Sequence, residues 1–125
     1  MKKIEFAVPE LRKIEINGLV FDILKSDADV MMKAAELRNE YAHLTKIKSA
    51  KASDFDAIVK AVKAIISYVD EILGEGATKK IVNGKPLGIV QAVTLMTTIC
   101  AAVVEEYNDD VADKYGDDET PEDDE

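Results

Sequence analysis

His43 and Cys100 are each the single residue of their kind in this chain. A histidine can serve as a base or metal ligand and a cysteine as a nucleophile, but both need partners at hand. Nothing in Thr97-Thr98-Ile99-Cys100-Ala101-Ala102 would lower the thiol pKa. Cys100 therefore reads as a small buried apolar residue, and His43, beside Leu44 on a helical stretch, as a surface or structural one. The close carboxylates Asp27/Asp29 and Asp54/Asp56 have the make-up of an acid–base pair. Each pair opens an apolar periodic run, where acids cap free N–H groups and suit the helix dipole. Gly74-Glu75-Gly76 with Lys79-Lys80 contains the ingredients of a phosphate loop, but the Walker spacing is missing and no strand leads into it. The acidic C-terminal residues lack the alternating ligands and turn glycine of a calcium loop. No catalytic, cofactor-binding or metal residue is assigned, and no cofactor is expected. The chain reads as a non-enzymatic protein that works by binding another protein.

The elements that would carry these residues are legible. Asn17-Gly18 is the preferred pair for a two-residue type I′ turn, because both positions need positive φ. It predicts a hairpin pairing Ile16 with Leu19, Ile14 with Phe21 and Lys13 with Asp22, with the four apolar side chains on one face. Ile4-Glu5-Phe6-Ala7-Val8 also alternates and suggests a third strand, ended or held at an edge by Pro9. Ser26-Asp27-Ala28-Asp29 starts a helix whose stripe is Val30, Ala34, Leu37, Tyr41 and Leu44. Lys46 to Lys51 is a basic connector. Ser53-Asp54 starts a second helix with the stripe Phe55, Ile58, Val62, Ile65, Val69 and Ile72, ended by Gly74 as a left-handed cap. Glu75 to Val82 is a short helical turn. Pro86 then opens a last helix with the stripe Ile89, Val93, Met96, Cys100, Val103 and Tyr107. The expected fold is α+β: a hairpin or small sheet packed on about three main helices. The core should hold Ile14, Ile16, Leu19, Phe21, Leu37, Tyr41, Val62, Ile65, Val69, Val93, Met96 and Val103.

Charge divides the chain. Residues 109–125 carry ten acids and one base, which accounts for the whole net charge of −9, while residues 1–108 carry 15 of each sign. The expected organisation is one globular domain over 1–108 and an acidic, disordered tail over 109–125, too poor in apolar residues to offset the entropy of ordering. A neutral domain ending in negative charge would be repelled by nucleic acid and by anionic membranes. A single cysteine rules out an internal disulfide, and Met1 to Glu5 has no apolar run of a signal peptide, so the cytoplasm is the expected location. The apolar stretch Leu87 to Val104 approaches the length of a membrane span. It is interrupted by Gln91, Thr94, Thr97 and Thr98 and reads as a buried helix.

That last helix holds more apolar surface than so short a chain can cover. Val90, Leu95, Ile99 and Val104 lie off its main stripe. Together with Met31, beside Met32 on the first helix, they are the expected partner-binding residues, and a homo-oligomer is expected. Methionines such as Met31, Met32 and Met96 suit an adaptable surface, although ordinary core packing is the better account of at least two of them.

The order "IEINGLVFDI", "SDADV", "VDEILGEGATKKIVNGKP", long helix and acidic end resembles small proteins of siphophage and prophage tail modules that look like tail assembly chaperones. The resemblance covers residues from about 14 to 108 and is densest from Asp70 to Gly84. Ile4–Val8 and the acidic tail are read as features of this member. The resemblance implies a role in the host cytoplasm, binding the tape-measure protein or another tail protein and keeping it soluble. A different class is an alternative: a small phage-encoded regulatory adaptor or inhibitor whose acidic tail mimics nucleic acid.

Overall fold

The computed structural model describes residues 1–47 and 51–115, with side chains described up to residue 108. Two strands, β1 (Lys13–Ile16) and β2 (Leu19–Asp22), precede four helices: α1 (Asp27–Tyr41), α2 (Ala52–Leu73), α3 (Ala77–Ile81) and α4 (Ile89–Tyr115). A 3₁₀ turn over Ala42–Lys46 follows α1. The protein is α+β, with one small antiparallel sheet on a helical body.

The hairpin has the register that its turn chemistry demands, with Ile16 opposite Leu19, Ile14 opposite Phe21 and Lys13 opposite Asp22. Asn17 and Gly18 both have positive φ, 52° and 80°. The Asn17 side chain also donates to the Ile81 carbonyl at 3.0 Å, which moors the turn to α3. On the outward face Lys13 and Asp22 form an ion pair. The expected third strand is not there. Residues 1–11 take no regular structure, and Ile4, Phe6 and Val8 are about four-fifths exposed (80%, 79% and 82%).

α1 starts where the capping sequence says it should. The Ser26 hydroxyl oxygen accepts from the Asp29 N–H at 3.1 Å and donates to the Asp29 carboxylate at 2.8 Å. α2 starts one residue before Ser53. The Asp54 carboxylate reaches back to accept from the Lys51 N–H at 2.8 Å, so Asp54 caps from inside the helix and Ser53 does not cap. Gly74 ends α2 with positive φ, but its ψ of 153° sends the chain away extended rather than through a left-handed turn. The left-handed residue is Gly76, which opens α3.

α1 and α2 both pack on α4, and β1 touches α4 from the side. The core is aliphatic, built on Val30, Ile65, Val69, Ile72, Met96, Ile99 and Val103. Burying each of these large side chains stabilises by about 1.5–3 kcal/mol. Of the expected core, Phe21, Leu37, Ile65, Val69, Met96 and Val103 are buried. Ile14, Ile16, Tyr41, Val62 and Val93 are half-buried against them. Leu19 is the exception at 39% exposed, because the turn end of the sheet overhangs the helices.

The fully packed stripe of α4 is Ala92, Met96, Ile99 and Val103; it shares Met96 and Val103 with the expected stripe, while Ala92 and Ile99 are buried in place of Val93 and Cys100, which are half-buried. By length and composition Ile89–Asn108 is apolar enough to cross a membrane, at mean hydropathy 1.5. Only 22% of its apolar window is fully buried, so the rest of the domain does not enclose this helix. The exposed side instead carries Gln91, Thr94, Thr97 and Thr98, so a hydroxyl-rich face meets solvent. α4 also runs past the expected boundary at 108/109 to Tyr115. The sequence from Asn108 to Tyr115 contains no Gly or Pro, so nothing interrupts the i→i−4 ladder there. Of the expected tail, residues 116–125 lie outside the described residues.

Candidate functional site

The residues with chemical potential are engaged in holding the fold. Asp70, near the end of α2, accepts from the Thr78 N–H at 2.9 Å and from the Thr78 hydroxyl at 2.8 Å. The Gly76 N–H points at its other oxygen from 3.4 Å. The protein's own carboxylate therefore occupies the N-terminus of α3, where a phosphate loop would hold its anion. Asp27 and Asp29 accept hydrogen bonds at the start of α1, and Asp54 does so at the start of α2. These carboxylates are caps. His43 is exposed on the 3₁₀ turn, and among the described residues no three His, Cys, Asp or Glu side chains cluster closely enough to hold a metal ion.

Cys100 is half-buried on α4 beside Tyr68 of α2. The Tyr68 hydroxyl donates to the Val30 carbonyl of α1 at 2.8 Å. Burial pushes the Tyr68 phenol well above its ordinary value, with Cys100 adding to the rise and Arg38 opposing it. The pair joins three helices, and Tyr68 also lines an open cavity of about 360 Å³ with Lys25, Asp29, Lys33 and Glu71. A second joint lies at the root of the N-terminal segment. The Arg12 guanidinium carbon sits 3.9 Å from the centre of the Tyr107 ring, and the Tyr107 hydroxyl reaches the Lys25 carbonyl at 3.4 Å.

Several apolar side chains of the helices stand in solvent. Val90 (57%) and Met31 (49%) stand out in solvent, as the binding-surface reading expected. Leu95 and Val104 are only half-exposed. Ile99 is fully buried, at 0%. It lies three residues after Met96 and four before Val103, on the same packed face, and so leaves the partner surface. Met32 (65%) is exposed next to Met31, and the sequence reading missed Phe55 (58%) and Val59 (52%) on the first half of α2. Phe55 falls on the stripe expected to face the core, but the buried positions of α2 begin only at Ala61.

The model of DUF6673, a family of unknown function, matches residues 17–122. The chain belongs to that family. No curated protein and no solved structure matches it. The match runs from the hairpin turn into the acidic C-terminal residues. Ile4–Val8 and β1 lie before it.

Proposed function

We propose that this DUF6673 protein is a non-enzymatic binding factor of phage tail assembly, which chaperones the tape-measure protein through apolar helical surface. The observation that carries the reading is the set of helical apolar side chains left in solvent: Met31 and Met32 on α1, Phe55 and Val59 on α2, and Val90 on α4. A long, apolar, helical tape-measure chain is exposed until the tube encloses it. A protein that shields it needs apolar helix faces for contact and surplus charge to keep the complex dissolved. Here the net charge is −9, contributed by the C-terminal residues, and the carboxylates near the helix starts are used as caps.

Co-expression with tape-measure segments tests the reading. The full chain should hold a segment in solution and co-purify with it. Phe55→Asp and Val90→Asp alter exposed positions, so they should keep the helical spectrum and lose the soluble complex. Folded variants that retain full complex would remove this surface from the mechanism.

A further inference from the structure

The N-terminal segment and the open edge of β2 are complementary to each other, and the chain's own connectivity keeps them apart. In the hairpin ladder, backbone groups alternate between facing the partner strand and facing away. The Ile23 N–H donates to the Arg12 carbonyl at 2.7 Å, so odd-numbered residues of β2 face β1. Leu24, one residue on, donates outward to the Ile72 carbonyl at 2.7 Å. The same alternation aims the N–H and C=O groups of Val20 and Asp22 outward, along the edge away from β1. Val20 is 63% exposed. Beside the turn end of this edge lies a mainly apolar trough of about 850 Å³, lined by Leu19, Ile81, Lys79, Lys80 and Gly84. Open strand edges are pairing sites.

Residues 4–8 have what such an edge takes: an alternating strand pattern with Ile4, Phe6 and Val8 on one side, no pairing of their own and nearly full exposure. Connectivity and charge decide whose segment enters. The segment is rooted at Arg12, which is fixed opposite Ile23 at the far end of β2 from the turn. Crossing two strand spacings takes about 10 Å, and the four steps from Arg12 back to Val8 have a reach of about 13 Å, enough only for a direct, nearly extended crossing. The segment would then run parallel to its own β2, carrying Lys2 and Lys3 toward Lys79 and Lys80. The antiparallel sense reverses this. It brings Glu10 toward Lys79 and Lys80 and takes Lys2 and Lys3 toward Asp22. Only a segment from another molecule can enter in that sense.

We infer that two copies of this chain exchange N-terminal arms, residues 4–8 of each adding antiparallel to the outer edge of the other's β2 with their apolar side chains over the Leu19–Ile81 trough. The exchange is isologous, so it closes at a dimer with three strands in each sheet. It is independent of the tape-measure reading, because the arm and the edge do not include the helical residues invoked there.

Sedimentation velocity and amide hydrogen exchange on the full chain test it. The wild type should shift from monomer to dimer as concentration rises, with the Val20 and Asp22 amides becoming protected in step. Phe6→Asp changes a wholly exposed arm residue. Val20→Pro deletes an outward N–H and leaves the hairpin's inward ladder intact. Each should abolish the dimer, leaving the mass of the 13.7-kDa chain. A wild type that stays monomeric at every concentration overturns the inference, including one whose Val20 amide is protected by its own arm. A dimer that survives Phe6→Asp overturns it as well.

Discussion

The Tyr68 hydroxyl donates across the helix interface to the Val30 carbonyl at 2.8 Å, and both residues are almost completely buried, at 2% and 1% exposed. This polar bond in an aliphatic core fixes α2 against α1 at one height. Tyr68→Phe should cost about 1 kcal/mol, the usual net value of one hydrogen bond. Chemical denaturation with matched m-values checks this.

The same residue sets an alkaline limit. Burial raises the Tyr68 pKa above the ordinary 10.0. Above pH 10 the unfolded state releases the phenolic proton while the folded state still holds it, so the folded state binds more protons and stability falls as pH rises. The stabilisation is fully present below pH 10.0 and declines above it. Melting curves through this range should drop more steeply for the wild type than for Tyr68→Phe. Parallel curves would show that the hydroxyl is not held protonated by the fold.

Asp70 should matter for stability more than its place near a glycine-rich turn suggests. Thr78 is 2% exposed, and its N–H and hydroxyl both rely on the Asp70 carboxylate. Asp70→Ala leaves buried donors without an acceptor and should destabilise by about 1–3 kcal/mol. Asp70→Asn keeps an acceptor oxygen and should cost less. Urea titrations of the two variants give the comparison, and equal losses would contradict the capping role.

Two aliphatic residues on α4, nine positions apart, should respond in opposite ways to the same charge. Ile99→Asp places a carboxylate at a site with no exposure and should prevent stable folding, since an unpaired buried charge costs several kcal/mol. Val90→Asp, at 57% exposed, should change stability by about 0.5 kcal/mol or less. Circular dichroism and thermal melts separate the two outcomes.

Removing residues 116–125 deletes seven acids and no base, and moves the net charge from −9 to −2. A chaperone shortened in this way should still bind its client, while the complex loses solubility, most visibly at low salt. A nucleic-acid mimic would lose its inhibitory activity instead. Client pull-down and turbidity on the truncated protein read both outcomes.

Local chemistry made much of this legible in the amino acids alone. Asn17-Gly18 determined the hairpin and its register, because few other residue pairs accept two successive positive φ angles. Ser26 and Asp29 marked the start of α1, and the spacing of Val30, Ala34, Leu37 and Leu44 identified its buried face. These signals act over a few residues, and the physics that makes them is local. The tertiary structure alone decided which apolar positions are covered. Phe55 and Ile72 belong to one periodic stripe, yet one is in solvent and the other in the core, because coverage depends on where neighbouring helices end. On α4, Ala92 and Ile99 are fully buried while Val93 and Cys100 are only half-buried, because the packed neighbours and not the apolar spacing alone select the covered face. The segment Ile4–Val8 has the alternation of a strand but no edge within reach in the right sense, and pairing needs a partner as well as a pattern.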